Sequence, residues 1–245
     1  ADLLLPRVDL STLWPDAAVR WLEQRGARLH WAQRVMDVDT AHGGEWRVGS
    51  SACDGVILAA SCGESARLAQ QHAPSWADQA RALRHEPIIT VVLRSPGARL
   101  PQPMLALRHD AASAPAQFVF DLGQLRGLQG HFAFVVSGAT EWVERGLAAT
   151  AQATLAQARR EPAGHAPAPW SEVRSLTEKR ATFLCTPGLE RPPPTIVPGL
   201  AAAGDYVAGP YPATLEGAMR SGVAAVRALE AAVNDARKAL PTACL

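Results

Sequence analysis

The stretch Leu200-Ala201-Ala202-Ala203-Gly204-Asp205, followed after a Gly/Pro loop by Pro212-Ala213-Thr214-Leu215-Glu216-Gly217-Ala218, decides the reading of this chain. An apolar run of strand length stops at Gly-Asp, and a helix opens over 212–218 and continues to about residue 237. This order sets one carboxylate at the carboxyl edge of a strand. It also turns the free N–H groups of a helix N-terminus toward the same crevice. An anionic group or an electron-rich ring edge docks well on that positive end. The small residues Gly217, Ala218, Ser221 and Gly222 let the helix backbone come close to its neighbours. Taken alone, Gly-Asp before a helix suits a turn cap as well as a cofactor site.

Working outward, Cys53-Asp54-Gly55 leads into Val56-Ile57-Leu58-Ala59-Ala60, a continuous apolar run that fits a central parallel strand covered on both faces. Ser61-Cys62-Gly63-Glu64 then has the S-x-x-E spacing of a capping box, so a helix is expected to start there. Near the start of the chain, Pro15 suits a first helical position, Val19, Trp21 and Leu22 supply an apolar face, and Gly26 a C-terminal cap. Residues 28–31, 35–39 and 45–48 read as three short strands of a meander, the last two joined by Ala41-His42-Gly43-Gly44.

From residue 67 the texture changes. Pro-punctuated helices are expected around 75–83, and strands at 88–93, 117–121 and 132–136. A long Ala/Leu-rich helix follows over 140–159 with Thr140 as N-cap. Residues 161–169 and Arg191-Pro192-Pro193-Pro194 read as linkers by composition. The expected organisation is a first segment over 1–66, a second domain over 67–190 and a closing segment over 191–245 that returns to the first.

Composition limits the function classes. The 245 residues carry 24 Lys+Arg against 23 Asp+Glu, with the basic residues scattered. A phosphate-tracking nucleic-acid surface needs clustered cations, so no nucleic-acid partner is expected. With 48% hydrophobic and 19% charged residues the chain can bury a core. No stretch approaches the roughly 20 apolar residues of a membrane span, and the first residues lack a signal-peptide layout, which places the expectation in the cytoplasm. Cys53, Cys62, Cys185 and Cys244 show no C-x-x-C spacing, and the seven histidines never fall at i, i+4. Reduced thiols and no metal site are the expectation.

Gly204-Asp205, Pro212 through Ala218 and Ser221-Gly222 together resemble the C-terminal flavin signature of the amine oxidase and phytoene desaturase superfamily. Upstream, Glu178-Lys179-Arg180-Ala181-Thr182-Phe183, Cys185-Thr186-Pro187 and Arg191-Pro192 resemble the segment that precedes that signature in squalene-associated FAD-dependent desaturases, the hydroxysqualene dehydroxylases of hopanoid synthesis. Leu5-Pro6-Arg7-Val8-Asp9-Leu10 and Trp21-Leu22-Glu23-Gln24-Arg25-Gly26-Ala27 are similar to the middle region of the same family, so the resemblance covers nearly the whole chain. It implies an α/β fold, with an incomplete FAD/NAD(P)-binding Rossmann-like domain and an α+β substrate domain. The domain is incomplete because no G-x-G-x-x-G fingerprint occurs, and those glycines let a backbone and helix N-terminus meet the FAD pyrophosphate. The chain is accordingly expected to be the C-terminal portion of a longer flavoprotein, inactive by itself.

The resemblance also implies roles. Asp205 matches the acid that hydrogen-bonds the ribityl and phosphate region of FAD, with Gly204 leaving room. Thr214, Leu215 and Ala218 match the helix start at the isoalloxazine edge, where backbone donors stabilise the reduced flavin. Val35 matches the position whose backbone brackets the adenine, and Ala59 and Ala60 the strand end near the crevice. Core packing accounts for these last three equally well. Arg180 and Tyr211 are candidates by proximity only, either for chemistry or for structure.

The implied chemistry is hydride delivery from reduced FAD to an allylic carbon, converting hydroxysqualene to squalene. A long polyprenyl substrate needs an apolar tunnel, and the β face of the second domain, with Val91, Val92, Phe118, Phe120, Phe132 and Phe134, is its candidate lining, ordinary sheet core being the alternative. Other readings are a carotenoid-type desaturase, an amine oxidase, or a non-catalytic module that keeps the fold without flavin. A lipid substrate further implies peripheral contact with the inner membrane, and unpaired sheet edges leave room for a homodimer.

Overall fold

The computed structural model describes residues 4–40, 45–160 and 168–239, with side chains to residue 235. In chain order the elements begin with helices α1 (Leu10–Leu13) and α2 (Pro15–Glu23). Strands β1 (Val38–Thr40), β2 (Trp46–Val48), β3 (Ser51–Cys53) and β4 (Val56–Leu58) follow, then helices α3 (Cys62–Ala69) and α4 (Pro74–Arg81). Next come β5 (His85–Arg94), β6 (Met104–Ala106), β7 (Phe118–Asp121), α5 (Leu122–Arg126) and β8 (His131–Val136). The chain continues with α6 (Thr140–Arg145), α7 (Leu147–Arg160), β9 (Ser171–Phe183), β10 (Thr195–Val197), β11 (Leu200–Ala202) and α8 (Leu215–Ala239). Two compact units result: 32–84 with 182–245, and 1–31 with 85–181.

In the first of these units β4 pairs parallel with β11, Ala202 standing opposite Leu58, and β10 runs antiparallel on the far side of β11. Val56 and Leu58 enter a core with Leu200, Ala202, Tyr206 and the inner faces of α3 and α4. Ile57, pointing the other way, packs with Ala201, Ala203, Ala225 and Leu229 against α8. Of the run 56–60, residues 56–58 form a parallel strand covered on both faces, while Ala59 and Ala60 lie beyond its end and are exposed. It is not central: the order is β10-β11-β4, so β4 stands at the end of the sheet among the described residues.

The meander is real but differently composed. Its strands are β1, β2 and β3 in antiparallel order, the third being Ser51–Cys53 after the turn at Gly49 (φ +59°), while residues 28–31 form no strand. The turn at 41–44 lies outside the described residues, as does most of the linker at 161–169. Ser61 stands at the N-cap of α3, but the capping box does not close: its side chain makes no cap bond, and Glu64 turns to Arg34 and Arg67 instead.

The other unit is built on a five-stranded sheet in the order β6-β7-β8-β5-β9. Ile89, Val91, Leu93, Val119, Phe132, Phe134 and Val136 form one fully buried face, packed with Trp142, Ala151, Ala158 and Trp170. The expected helix over 140–159 is two helices, because Gly146 (φ +94°) breaks it. Thr140 is not its cap: Ala139 precedes the helix, and the Thr140 hydroxyl donates to Glu86 at 3.2 Å. The sequence boundary at 66/67 moves to 84/85, since α3 and α4 pack on each other and on the core beneath β4. The opening residues 1–31 belong with the five-stranded unit, where Arg126 bonds the Pro6 carbonyl at 2.8 Å and pairs with Asp9.

Candidate flavin-binding site

The carboxyl ends of β4 and β11 lie side by side because the strands are parallel and in register, and the Ala203 amide continues the pairing to the Leu58 carbonyl at 3.0 Å. Beyond β4, Ala59 and Ala60 are exposed at the crevice rather than packed in the core, and α3 starts two residues later. Beyond β11, the chain passes through Gly204 and the half-buried Asp205 into a loop that closes on itself, the Ala213 amide donating to the Asp205 carbonyl at 3.4 Å. The start of α8 is fixed from three directions. The Gly204 amide donates to the Ser221 hydroxyl at 2.8 Å, and that hydroxyl donates to the Ala218 carbonyl at 2.6 Å. Thr214 is the N-cap, its hydroxyl oxygen accepting from the Gly217 amide at 3.0 Å and its proton going to the Tyr211 carbonyl at 2.7 Å.

This cap leaves the first-turn amides of Leu215 and Glu216 without intrahelical carbonyls, a positive end beside the Asp205 loop. Among the described residues the Asp205 carboxylate accepts no hydrogen bond. It is not the turn cap that the motif alone allowed. A carboxylate free to bind hydroxyl donors and a helix terminus free to bind an acceptor fit a ribityl chain and the electron-rich edge of a flavin ring. The small residues serve contacts within this site: a Cβ at Gly204 would strike the Tyr206 ring, and one at Gly217 the Tyr211 carbonyl. Gly222, by contrast, faces open space.

Val35 precedes β1 in a segment without regular structure that is held against α3. Arg67 donates to the Val35 carbonyl at 2.7 Å and to the Met36 carbonyl at 2.5 Å, while Glu64 bonds Arg67 and Arg34. The Arg67 hydrogen bond, helped by the charge of Arg34, holds the exposed Glu64 carboxyl below the usual carboxylate range. The carbonyl of Val35 is therefore occupied within the protein. Leu215 is largely exposed and Ala218 half-buried on α8. Tyr211, at φ +58°, is exposed and its ring lies 5.2 Å from the Arg220 guanidinium carbon. Arg180 belongs to the other unit, where it is exposed on β9.

Two residues of this region have roles that no sequence pattern gave. Arg191, placed by sequence in a Pro-rich linker and in the segment that resembles the one before the flavin signature, donates to the carbonyls of Asp205, Val207 and Gly209. Tyr206 is 3% exposed, and its hydroxyl has no hydrogen-bond partner among the described residues. Burial pushes its pKa up to about 12, with the neighbouring Ser65 hydroxyl opposing and Cys62 and Asp205 adding smaller upward effects.

The tunnel lining read from sequence divides in two. Val91 stands opposite Phe134, and Phe134 opposite Val119, so Val91, Phe132 and Phe134 share the covered face. Val92 stands opposite Ala133, Ala133 opposite Phe120 and Val135 opposite Phe118, which puts Val92, Phe118 and Phe120 on the other, half-exposed face. Alternation placed each phenylalanine pair on one face correctly, but the register puts the two pairs on opposite faces. No cluster of metal-ligating side chains and no helix long and apolar enough to cross a membrane occurs among the described residues, and Cys53, Cys62 and Cys185 form no disulfide.

The sequence profile of the flavin containing amine oxidoreductases matches residues 12–229. No individually curated protein matches the chain in sequence. Among solved structures, an oxidoreductase from Methanosarcina mazei superposes with a TM-score of 0.63 at 14% identity, over 86% of this chain and 53% of that one. A putrescine oxidase variant gives 0.59 at 16% identity, over 89% and 53%. Cyclohexylamine oxidase from Brevibacterium oxydans gives 0.52 at 13%, over 91% and 52%. At these identities the structures share the fold, and the chain spans about half the length of each. Residues 12–229 being most of its 245, the chain belongs to the family of flavin containing amine oxidoreductases.

Proposed function

We propose that this chain supplies part of the FAD-binding domain and the substrate domain of an FAD-dependent oxidoreductase that acts on a polyisoprenoid, reducing hydroxysqualene to squalene by loss of its hydroxyl. The observation that carries the flavin assignment is the unengaged Asp205 carboxylate beside the capped N-terminus of α8, at the carboxyl edge of a parallel strand pair. Asp205 would hold the ribityl chain, the Leu215 and Glu216 amides the ring edge, and the backbone at Val35 and the Ala59-Ala60 strand end the nucleotide side. FAD in its reduced form would supply the hydride. The unit of 32–84 and 182–245 takes the flavin role and the five-stranded unit the substrate role. A nucleotide-binding half with the G-x-G-x-x-G fingerprint would come from elsewhere in the complete flavoprotein, in keeping with the half-length match to solved structures.

The substrate class rests on the resemblance and on the open face of the sheet. There Ile88, Val92, Phe118, Phe120, Ala133 and Val135 are apolar and only partly covered, so a hydrocarbon chain would find its surface there. Oxidation of an amine is the second reading, favoured by the family match and by the putrescine and cyclohexylamine oxidases among the similar folds. The same proposal includes a cytoplasmic location, peripheral contact with the inner membrane to reach a lipid, room for a homodimer and no nucleic-acid partner.

The test is product analysis with the complete flavoprotein, offered hydroxysqualene, phytoene and an aliphatic amine in parallel. Squalene from the first alone is expected. A desaturated product from phytoene, or an aldehyde from the amine, with no squalene, would replace the substrate assignment. No turnover and no bound flavin would favour a non-catalytic module.

A further inference from the structure

We infer that Arg191 is a positioning residue for the flavin: its guanidinium gathers the carbonyls of Asp205, Val207 and Gly209 and so sets the loop that carries Asp205 to the start of α8. This deepens the flavin assignment proposed above and rests on it. The three carbonyls come from alternate residues of a segment without regular structure, and they converge on one side chain. One terminal nitrogen of Arg191 donates to Val207 at 2.7 Å and to Asp205 at 3.4 Å, and the other to Gly209. A planar fork with five donors can serve three acceptors at once, whereas an ammonium is a single point of charge on a more flexible stem. The next residue strengthens the clamp, the Pro192 carbonyl accepting from the Ala208 amide at 2.9 Å. Prolines at 192–194 fix the backbone that presents the arginine.

The loop needs such a clamp. Tyr211 at φ +58° and Ala213 at φ +55° hold left-handed conformations that non-glycine residues adopt only when their surroundings impose them. Their carbonyl and amide make the bonds that orient the cap of α8 and close the loop on Asp205. Without Arg191 the segment 205–213 keeps its covalent ends but loses three of the bonds that fix its path. The Asp205 carboxylate and the first α8 amides then lose their mutual position.

The experiment compares Arg191→Gln, Arg191→Lys and Asp205→Ala in the complete flavoprotein. It reads FAD affinity by quenching of flavin fluorescence, the visible flavin band, and amide hydrogen exchange over 205–213 in the FAD-free protein. Arg191→Gln is expected to weaken FAD binding about tenfold, shift the flavin band and speed exchange in 205–213 at least tenfold, leaving exchange in the five-stranded unit unchanged. Arg191→Lys is expected to fall between it and the natural protein. If Asp205→Ala weakens FAD binding while Arg191→Gln changes neither loop exchange nor affinity, the role of Arg191 is overturned and the flavin assignment stands. If Asp205→Ala leaves FAD binding unchanged, the flavin assignment itself falls. Should Arg191→Gln fail to fold, Arg191→Lys decides by the same readouts, and natural values in both would overturn the proposal.

Discussion

Replacing Phe134 with alanine and, separately, Phe118 with alanine separates the two faces of the five-stranded sheet. Phe134 is fully buried, its ring edge-on to Trp170 with centroids 6.0 Å apart, and it stands between Val91 and Val119. Removing a ring that buries roughly 200 Å2, at ~25 cal/mol per Å2, costs about 4–5 kcal/mol, the upper part of the range seen for such truncations in closed cores. Phe118 is 37% exposed on the open face, so water refills the site and no cavity remains. Its loss should cost only about 1–2 kcal/mol. Thermal and urea unfolding of the two variants should therefore differ by about 3 kcal/mol, or on the order of 10 °C in Tm. Phe118→Ala should in addition raise KM for a long apolar substrate. Equal unfolding costs, or a larger cost at Phe118, would refute the register-based division of the sheet and the location of the substrate surface with it.

Other consequences follow from single contacts. Tyr206 is neutral when buried and its folded pKa is raised, so the stability it lends is fully present below pH ~10 and is lost as pH rises toward 12. The loss of about 3 kcal/mol should be absent from Tyr206→Phe in alkaline unfolding curves. Gln157, 1% exposed, accepts from the Ala116 amide at 2.9 Å and donates to the Ala116 and Arg108 carbonyls. Gln157→Leu strands three backbone groups and should lower unfolding free energy by about 2–4 kcal/mol in urea titrations. Thr214→Ala removes the α8 cap and should cost about 1 kcal/mol, with weaker FAD binding in a direct titration, whereas Thr214→Ser should restore both. Gly217→Ala should weaken FAD binding as well, because its Cβ meets the Tyr211 carbonyl rather than a flexible side chain.

The strands and helices around the site were legible because their signals are local. Four apolar residues ending in Gly-Asp announce β11, and the unbroken run at 56–58 announces a strand covered on both faces. What failed depended on partners distant in sequence. β9, thirteen residues that include Glu172, Arg174, Glu178, Lys179 and Arg180, has a largely solvent-facing composition and is a strand because β5 lies beside it. The two phenylalanine pairs are equally apolar in sequence, and only pairing of β7 with β8 shows which faces the helices. Arg191 sits in a Pro-rich segment, and no spacing reveals that three carbonyls fourteen to eighteen residues later turn toward it. Glu64 matched a capping box but was drawn away by two arginines, one of them thirty residues upstream. In each case a tertiary partner decided what a local pattern could not.

In the proposed site, Asp205 and the N-terminus of α8 hold a flavin at the carboxyl edge of β4 and β11. The most direct measurement is a titration of the complete, flavin-stripped protein with FAD, natural sequence against Asp205→Ala, followed by flavin fluorescence and absorption. Saturable binding at one site per chain and a loss of about tenfold or more in affinity for the variant are expected, with cooperative unfolding retained. Identical affinities in two folded proteins would contradict the proposed site.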